Sequence, residues 1–143
     1  CISAWYSGLF EESKRVLGTL QRKMVRYVGS MNPRQHVADG EILSLGWLPL
    51  QRRVDYFLLM HVMKVKLSLS PAYIASNFTY LSDVHSYGLR QSEVNFSLSS
   101  CNFPSGSFTR TAITLWNKLP FELKRCDKLL DFKKRLMSHL KNR

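Results

Sequence analysis

The side chains of this 143-residue chain that could do chemistry are its cations. Arg15, Arg22 and Arg26 recur at helical spacing and share one helix face, with Lys14 and Lys23 beside it. A second group, Lys124, Arg125, Lys128, Lys134 and Arg135, lies off the apolar positions near the C-terminal end. Arg52-Arg53 adds a third cationic point. A guanidinium forks onto two phosphate oxygens and an ammonium acts as a point charge. Faces of this kind grip nucleic-acid backbone without reading its sequence. The whole-chain balance agrees, with 21 Lys and Arg against 10 Asp and Glu and a net charge of +11. Residues 118–143 carry nine basic and three acidic side chains, and residues 1–30 carry five and two. The longer middle carries seven and five, so a polyanion is felt most at the two ends.

Other chemistry is sparse. Trp47, Tyr80 and Tyr87 fall in or near loops and are candidates for stacking on unpaired bases. Trp116 sits among apolar helix positions and is expected in the core with Leu115. Cys1, Cys101 and Cys126 are an odd, widely spaced set without a C-x-x-C or a histidine at zinc-ligand spacing. They read as buried thiols of a reducing compartment. There is no glycine-rich phosphate loop, no G-x-S-x-G elbow and no acidic pair placed for two metals. The expectation is a binding module with no catalytic residues, no metal and no cofactor. His61 falls inside an apolar face and reads as a core histidine. The longest apolar run, from Tyr56 to Met63, is far short of the roughly 20 residues of a membrane span. A soluble protein of the cell interior, with no membrane partner, is expected.

These residues need helices to hold them. Residues 11–29 predict an amphipathic helix with Leu17, Leu20, Met24, Tyr27 and Val28 as its apolar stripe, ended by Gly29-Ser30. A short helix is expected around Glu41-Ile42-Leu43, interrupted by Gly46-Trp47-Leu48-Pro49. Pro49 suits the first position of the next helix, Leu50 to Leu67. That helix is apolar on two faces and so central, leaving Arg52, Asp55, Lys64 and Lys66 for solvent. Ser70-Pro71 starts a short helix through Tyr73 and Ile74. Val94, Phe96 and Leu98 alternate with polar residues, which predicts a small β-ribbon near residues 80–103 within a long irregular loop. Helices follow over Ser107–Lys118 and from Asp127, as N-cap, to about Leu140. The fold class expected is mainly α, a helical bundle with a small β-ribbon.

Several strings occur in a suggestive order. They are Leu20-Gln21-Arg22-Lys23-Met24-Val25-Arg26, then Leu45-Gly46-Trp47-Leu48-Pro49-Leu50-Gln51-Arg52-Arg53-Val54-Asp55-Tyr56, then Leu69-Ser70-Pro71-Ala72-Tyr73-Ile74. Phe108-Thr109-Arg110-Thr111-Ala112-Ile113-Thr114-Leu115-Trp116-Asn117-Lys118-Leu119-Pro120 and Phe132-Lys133-Lys134-Arg135-Leu136 complete the set. This order resembles the C-terminal end of open reading frame 2 in LINE-type non-LTR retrotransposons of the jockey and Rex kind. The resemblance spans about residues 5–140. It implies that residues 1–30 end a thumb-like helical segment of a reverse transcriptase, and that residues 31–143 form the basic helical domain after it. The polymerase's Tyr-x-Asp-Asp string and the endonuclease are absent from this sequence, as is the Cys/His zinc knuckle of some LINE groups. The implied role is to hold element RNA or target DNA during target-primed reverse transcription. The implied partners are those nucleic acids and the rest of the parent enzyme, in a nuclear or ribonucleoprotein setting. With no initiator Met before Cys1-Ile2-Ser3, the chain reads as a piece of a longer one. The competing expectations are a scaffold bundle that props the thumb and a host-adopted domain with a protein partner.

Overall fold

The computed structural model describes residues 2–84, 92–99, 103–104 and 106–143, and it is mainly helical. Helix α1 (Ile2–Trp5) and a 3-10 turn (Tyr6–Gly8) lead into α2 (Glu11–Val28). Then come α3 (Asp39–Ser44), α4 (Leu50–Lys66), α5 (Ala72–Ala75) and α6 (Leu81–Val84). Helices α7 (Phe108–Asn117), α8 (Phe121–Lys124) and α9 (Leu129–Lys141) complete the order. The helix expected with Asp127 as its N-cap starts one residue later, with Lys128 at the N-cap, and Asp127 instead lies 3.8 Å from Lys66 Nζ.

The two-faced α4 is the axis of the bundle, as its pattern demands, and packs chiefly on α7 and α9. Leu58, Leu59, Val62 and Met63 of α4 meet Ala112, Ile113 and Trp116 of α7 and Phe132, Leu136 and Leu140 of α9. Tyr6 belongs to the same core, and Leu9 and Leu17 pack against it, so the described N-terminal helices share the main core with α4, α7 and α9. A second cluster joins Val25 of α2 to Val37 and Ile42, with Trp47 packed against it.

Of the four polar α4 positions expected at the surface, Asp55 is instead buried. Arg52 and Lys66 tie helix ends together. Arg52 donates to the Leu140 and Lys141 carbonyls and to Asp39, and Lys66 Nζ donates to the Lys124 and Cys126 carbonyls. Cations suit these positions because the last carbonyls of a helix lack intrahelical donors.

The string from Leu45 to Pro49 resolves into turn chemistry. After α3, Gly46 takes φ +74°, its N–H donates to Leu43 O, and the Trp47 N–H reaches Ile42 O. That is a Schellman end, and its left-handed residue favours glycine. Pro49 then serves as the N-cap of α4 rather than its first turn. Gln21 of α2 clamps this corner, donating to Leu48 O and accepting from Leu50 N, both at 2.9 Å.

The β-ribbon is not formed among the described residues. A single antiparallel bridge joins Tyr80 and Phe96. Around it the Leu81 N–H donates to Asn95 O, the Ser82 N–H to Ser92 O and the Ser97 N–H to Thr79 O, and side chains of the α7 end take further groups of this segment. Trp116 Nε1 donates to Val94 O, and the Asn117 amide both donates to Phe96 O and accepts from Phe96 N. Phe96 is buried as the alternation predicts, Val94 is half-buried, and Leu98 is exposed. Trp116 is fully buried, whereas Leu115 is only half-buried at the edge of the same core.

Candidate nucleic-acid interface

Helix α2 carries three faces. Its inward face is Lys14, Gly18, Gln21 and Val25, with Leu17 at its edge, and its polar face holds Arg15, Arg22, Lys23 and Arg26. The expected stripe of Leu20, Met24, Tyr27 and Val28 does not face the core. Leu20 is 53% exposed and Tyr27 89%. Periodicity found the apolar face, but the bundle docks the helix through the neighbouring one, where Gln21 holds the α4 corner.

The basic face of α2 forms as expected. Arg15, Arg22 and Lys23 are exposed and Arg26 is half-buried, with its Nε donating to Gln35 O at 2.8 Å. The first-turn carboxylates temper it, Glu11 pairing with Lys14 at 2.7 Å and Glu12 with Arg15 at 2.8 Å. The face continues into a cleft of about 580 Å³ between α2, the start of α4 and the end of α9. Lys14, Arg15, Arg22, Arg52 and Arg143 line it, against Asp39 and Asp55. Asp39 is paired with Arg52 at 2.9 Å, and Asp55 faces Arg143 at 3.7 Å. Burial raises the Asp55 carboxyl above its ordinary range, opposed by the Gln51 hydrogen bond and by Arg143. Arg22 lies beside Gly18. Arg143 comes to the cleft only through the packing of α9 on α4, which no local pattern in the sequence could reveal.

Arg52 lines the cleft but is engaged in holding helix ends, so it positions more than it offers. Arg53 is exposed and rests 5.8 Å from the Phe57 ring.

The C-terminal group divides. Lys124 does not belong to a surface face, since it is 1% exposed. Its Nζ donates to Asn95 Oδ1 and Asn117 O, both at 2.8 Å, and burial lowers its pKa. The short helix α8, which falls between the two helices expected to end at Lys118 and to begin at Asp127, turns this lysine inward. Arg125, Lys128, Lys134 and Arg135 are exposed. Arg125 lies 5.4 Å from the Phe121 ring. Arg125, Lys128 and Arg135 line one groove of about 580 Å³ together with Glu122, Asp127 and Asp131, so three cations there face three carboxylates. The α2 cleft is the more cationic of the two.

The stacking candidates fare differently. Tyr80 already stacks on Phe96, with centroids 4.6 Å apart, so one ring face is taken. Trp47 is half-buried against the second cluster. Tyr87 lies outside the described residues. His61 packs edge-on to Phe108 at 5.5 Å, and its pKa is lowered by burial and by Lys64.

Cys126 is a buried free thiol, while Cys1 and Cys101 lie outside the described residues. Among the described residues no group of His, Cys, Asp or Glu is arranged to hold a metal, and no helix is long and apolar enough to cross a membrane. No family model, curated protein or solved structure matches the chain, so the reading of this surface stands on its geometry and charge.

Proposed function

We propose that this chain is a nucleic-acid-holding module that grips phosphate backbone through the basic face of α2 and the cleft beside it. In the setting the resemblance implies, the ligand is element RNA or target DNA held during target-primed reverse transcription, and the module is not itself catalytic. The observation that carries the reading is the convergence of Lys14, Arg15, Arg22, Arg52 and Arg143 on one cleft lined by two carboxylates, with Glu11 and Glu12 paired to Lys14 and Arg15. Cations gathered in a concave site release counterions from a polyanion when they neutralise its phosphates. The exposed Arg125, Lys128, Lys134 and Arg135 provide a weaker, mixed-charge second contact.

The test is binding to RNA and to duplex DNA across a salt series. Replacing Arg22, Lys23 and Arg26 together by Gln should reduce the slope of log affinity against log salt by about two to three units for duplex. Arg22 and Lys23 are exposed charges that contribute little to stability, so the melting temperature should fall only by the equivalent of the Arg26–Gln35 hydrogen bond, about 1 kcal/mol. A triple variant that binds as the parent does, with the same slope, defeats the proposal.

One observation favours a second reading, in which the chain is a scaffold bundle. The apolar stripe of α2 is turned to solvent, and contiguous apolar surface of that kind marks a docking face.

A further inference from the structure

The stripe on α2 has a pattern of its own, although its seam takes in Lys23 and its flank takes in Arg26 of the basic face. Val16, Leu20 and Tyr27 follow helical spacing on the outward side, with Ser13 and Lys23 completing the two-position seam of a helix pair. All three apolar members are more than half exposed. One flank of that seam is Glu12, Thr19 and Arg26, spaced seven residues apart. This flank is self-complementary in one orientation. Laid antiparallel about a two-fold axis, it sets Glu12, which within one copy pairs with Arg15, against the partner's Arg26, Thr19 against the partner's Thr19, and Arg26 against the partner's Glu12. The same register puts Val16 against the partner's Leu20. A parallel pair would set Glu12 against the partner's Leu17 and Arg26 against the partner's Met31, with no charge matched. Flanking charges of this kind select partner and orientation in helix pairs. Arg26 is also preset, because its Nε bond to Gln35 O fixes its stem.

We propose that α2 is a homodimerisation helix, which covers its apolar stripe with the α2 of a second copy in antiparallel register. Phe10, which caps the helix, and Met24 and Val28 border the seam and extend the apolar area. Full cover of these side chains would remove on the order of 800 Å² per copy, the half-share of a standard interface.

Sedimentation equilibrium of the whole chain, from micromolar to a few hundred micromolar at about 0.3 M salt, reads the proposal directly. That salt screens the repulsion of two +11 chains. The expected result is a monomer–dimer equilibrium in this range. Leu20→Glu should weaken it at least about tenfold while leaving the thermal melt of the monomer within a few degrees, because Leu20 is not part of the core. Glu12→Arg should weaken it severalfold, and adding Arg26→Glu to that variant should restore it, which only the antiparallel register allows. A monomer throughout overturns the proposal and leaves the stripe to a different protein. A dimer indifferent to Leu20→Glu overturns it too, as does a double reversal that fails to restore pairing.

Discussion

Trp116→Ala is the perturbation whose magnitude the structure fixes best. The indole is fully buried, lying 6.2 Å from the Phe96 ring and 5.7 Å from that of Phe132. Truncating a large aromatic in a packed core costs about 3–5 kcal/mol. The variant also strands the Val94 carbonyl, which accepts from Nε1 at 2.8 Å, at a cost of about 1 kcal/mol more. A total of about 4–6 kcal/mol is a large part of the roughly 5–15 kcal/mol that holds a domain folded. At roughly 3 °C per kcal/mol for a chain of this size, the melting temperature should fall by about 10–20 °C. Trp116→Phe separates the two contributions. It keeps a ring against Phe132 and loses the N–H donor, so it should cost only about 1–3 kcal/mol. Thermal melts followed by circular dichroism, with urea titrations to confirm an unchanged m-value, measure both. The reasoning is refuted if Trp116→Ala melts within about 3 °C of the parent, or if Trp116→Phe is as damaging as Trp116→Ala.

Two further outcomes follow from backbone and titration. Helix α4 ends in a Schellman turn with a non-glycine at the left-handed position, Ser68 at φ +55°, its N–H on Val65 O and the Leu69 N–H on Lys64 O. Ser68→Gly should therefore stabilise the fold by about 0.5–1 kcal/mol in chemical denaturation, the left-handed penalty removed exceeding the entropy that glycine adds to the unfolded chain. His61 has a folded pKa below its ordinary 6.5, so the unfolded chain binds the proton more readily. Its contribution is fully present above pH 6.5 and is lost as pH falls through the folded pKa. The stability difference between parent and His61→Gln should accordingly be flat above pH 6.5 and shift against the parent below it. A difference that is flat on both sides of pH 6.5 would show that His61 meets solvent as freely in the folded chain as in the unfolded one.

Local pattern was enough for the helices that matter most. The apolar period and breakers placed α2, α4 and α7 to within a residue or two, because each has a sequence-local cause: first-turn carboxylates at Glu11 and Glu12, Pro49, and Ser107 capping the Arg110 N–H. What failed has a tertiary cause. Which of two candidate faces of α2 meets the core depends on Gln21 finding the Leu48–Leu50 backbone. Whether Lys124 is a surface cation depends on the turn of α8 and on Asn95, twenty-nine positions away. The 92–99 segment has strand-like alternation, yet it meets residues 79–82 through scattered backbone bonds around one bridge, and the Val94 carbonyl and both backbone groups of Phe96 are taken by the side chains of Trp116 and Asn117. The candidate cleft was half legible. Arg15, Arg22 and Arg52 stood out by type and spacing, whereas Arg143 joined them only through helix packing.

That division bears on what the resemblance to retrotransposon reverse transcriptases can carry. In the string Leu115-Trp116-Asn117-Lys118-Leu119-Pro120, Trp116 and Asn117 hold the 94–96 backbone, Leu119 is buried and Pro120 caps α8. In Leu45-Gly46-Trp47-Leu48-Pro49, Gly46 makes the left-handed turn, Leu48 is buried and Pro49 caps α4. These are fold-holding jobs, and any chain that keeps the strings has reason to keep the corners they build. The cationic grip is partly separable from them. Of the cations lining the cleft only Arg22 and Arg52 lie within the strings, together with Lys23 and Arg26 of the α2 face, and Arg52 is there engaged with the end of α9. Lys14, Arg15 and Arg143 lie outside them. Likeness in the strings therefore argues for this bundle, while the argument for nucleic-acid contact has to be made from the charges that converge on the α2 cleft.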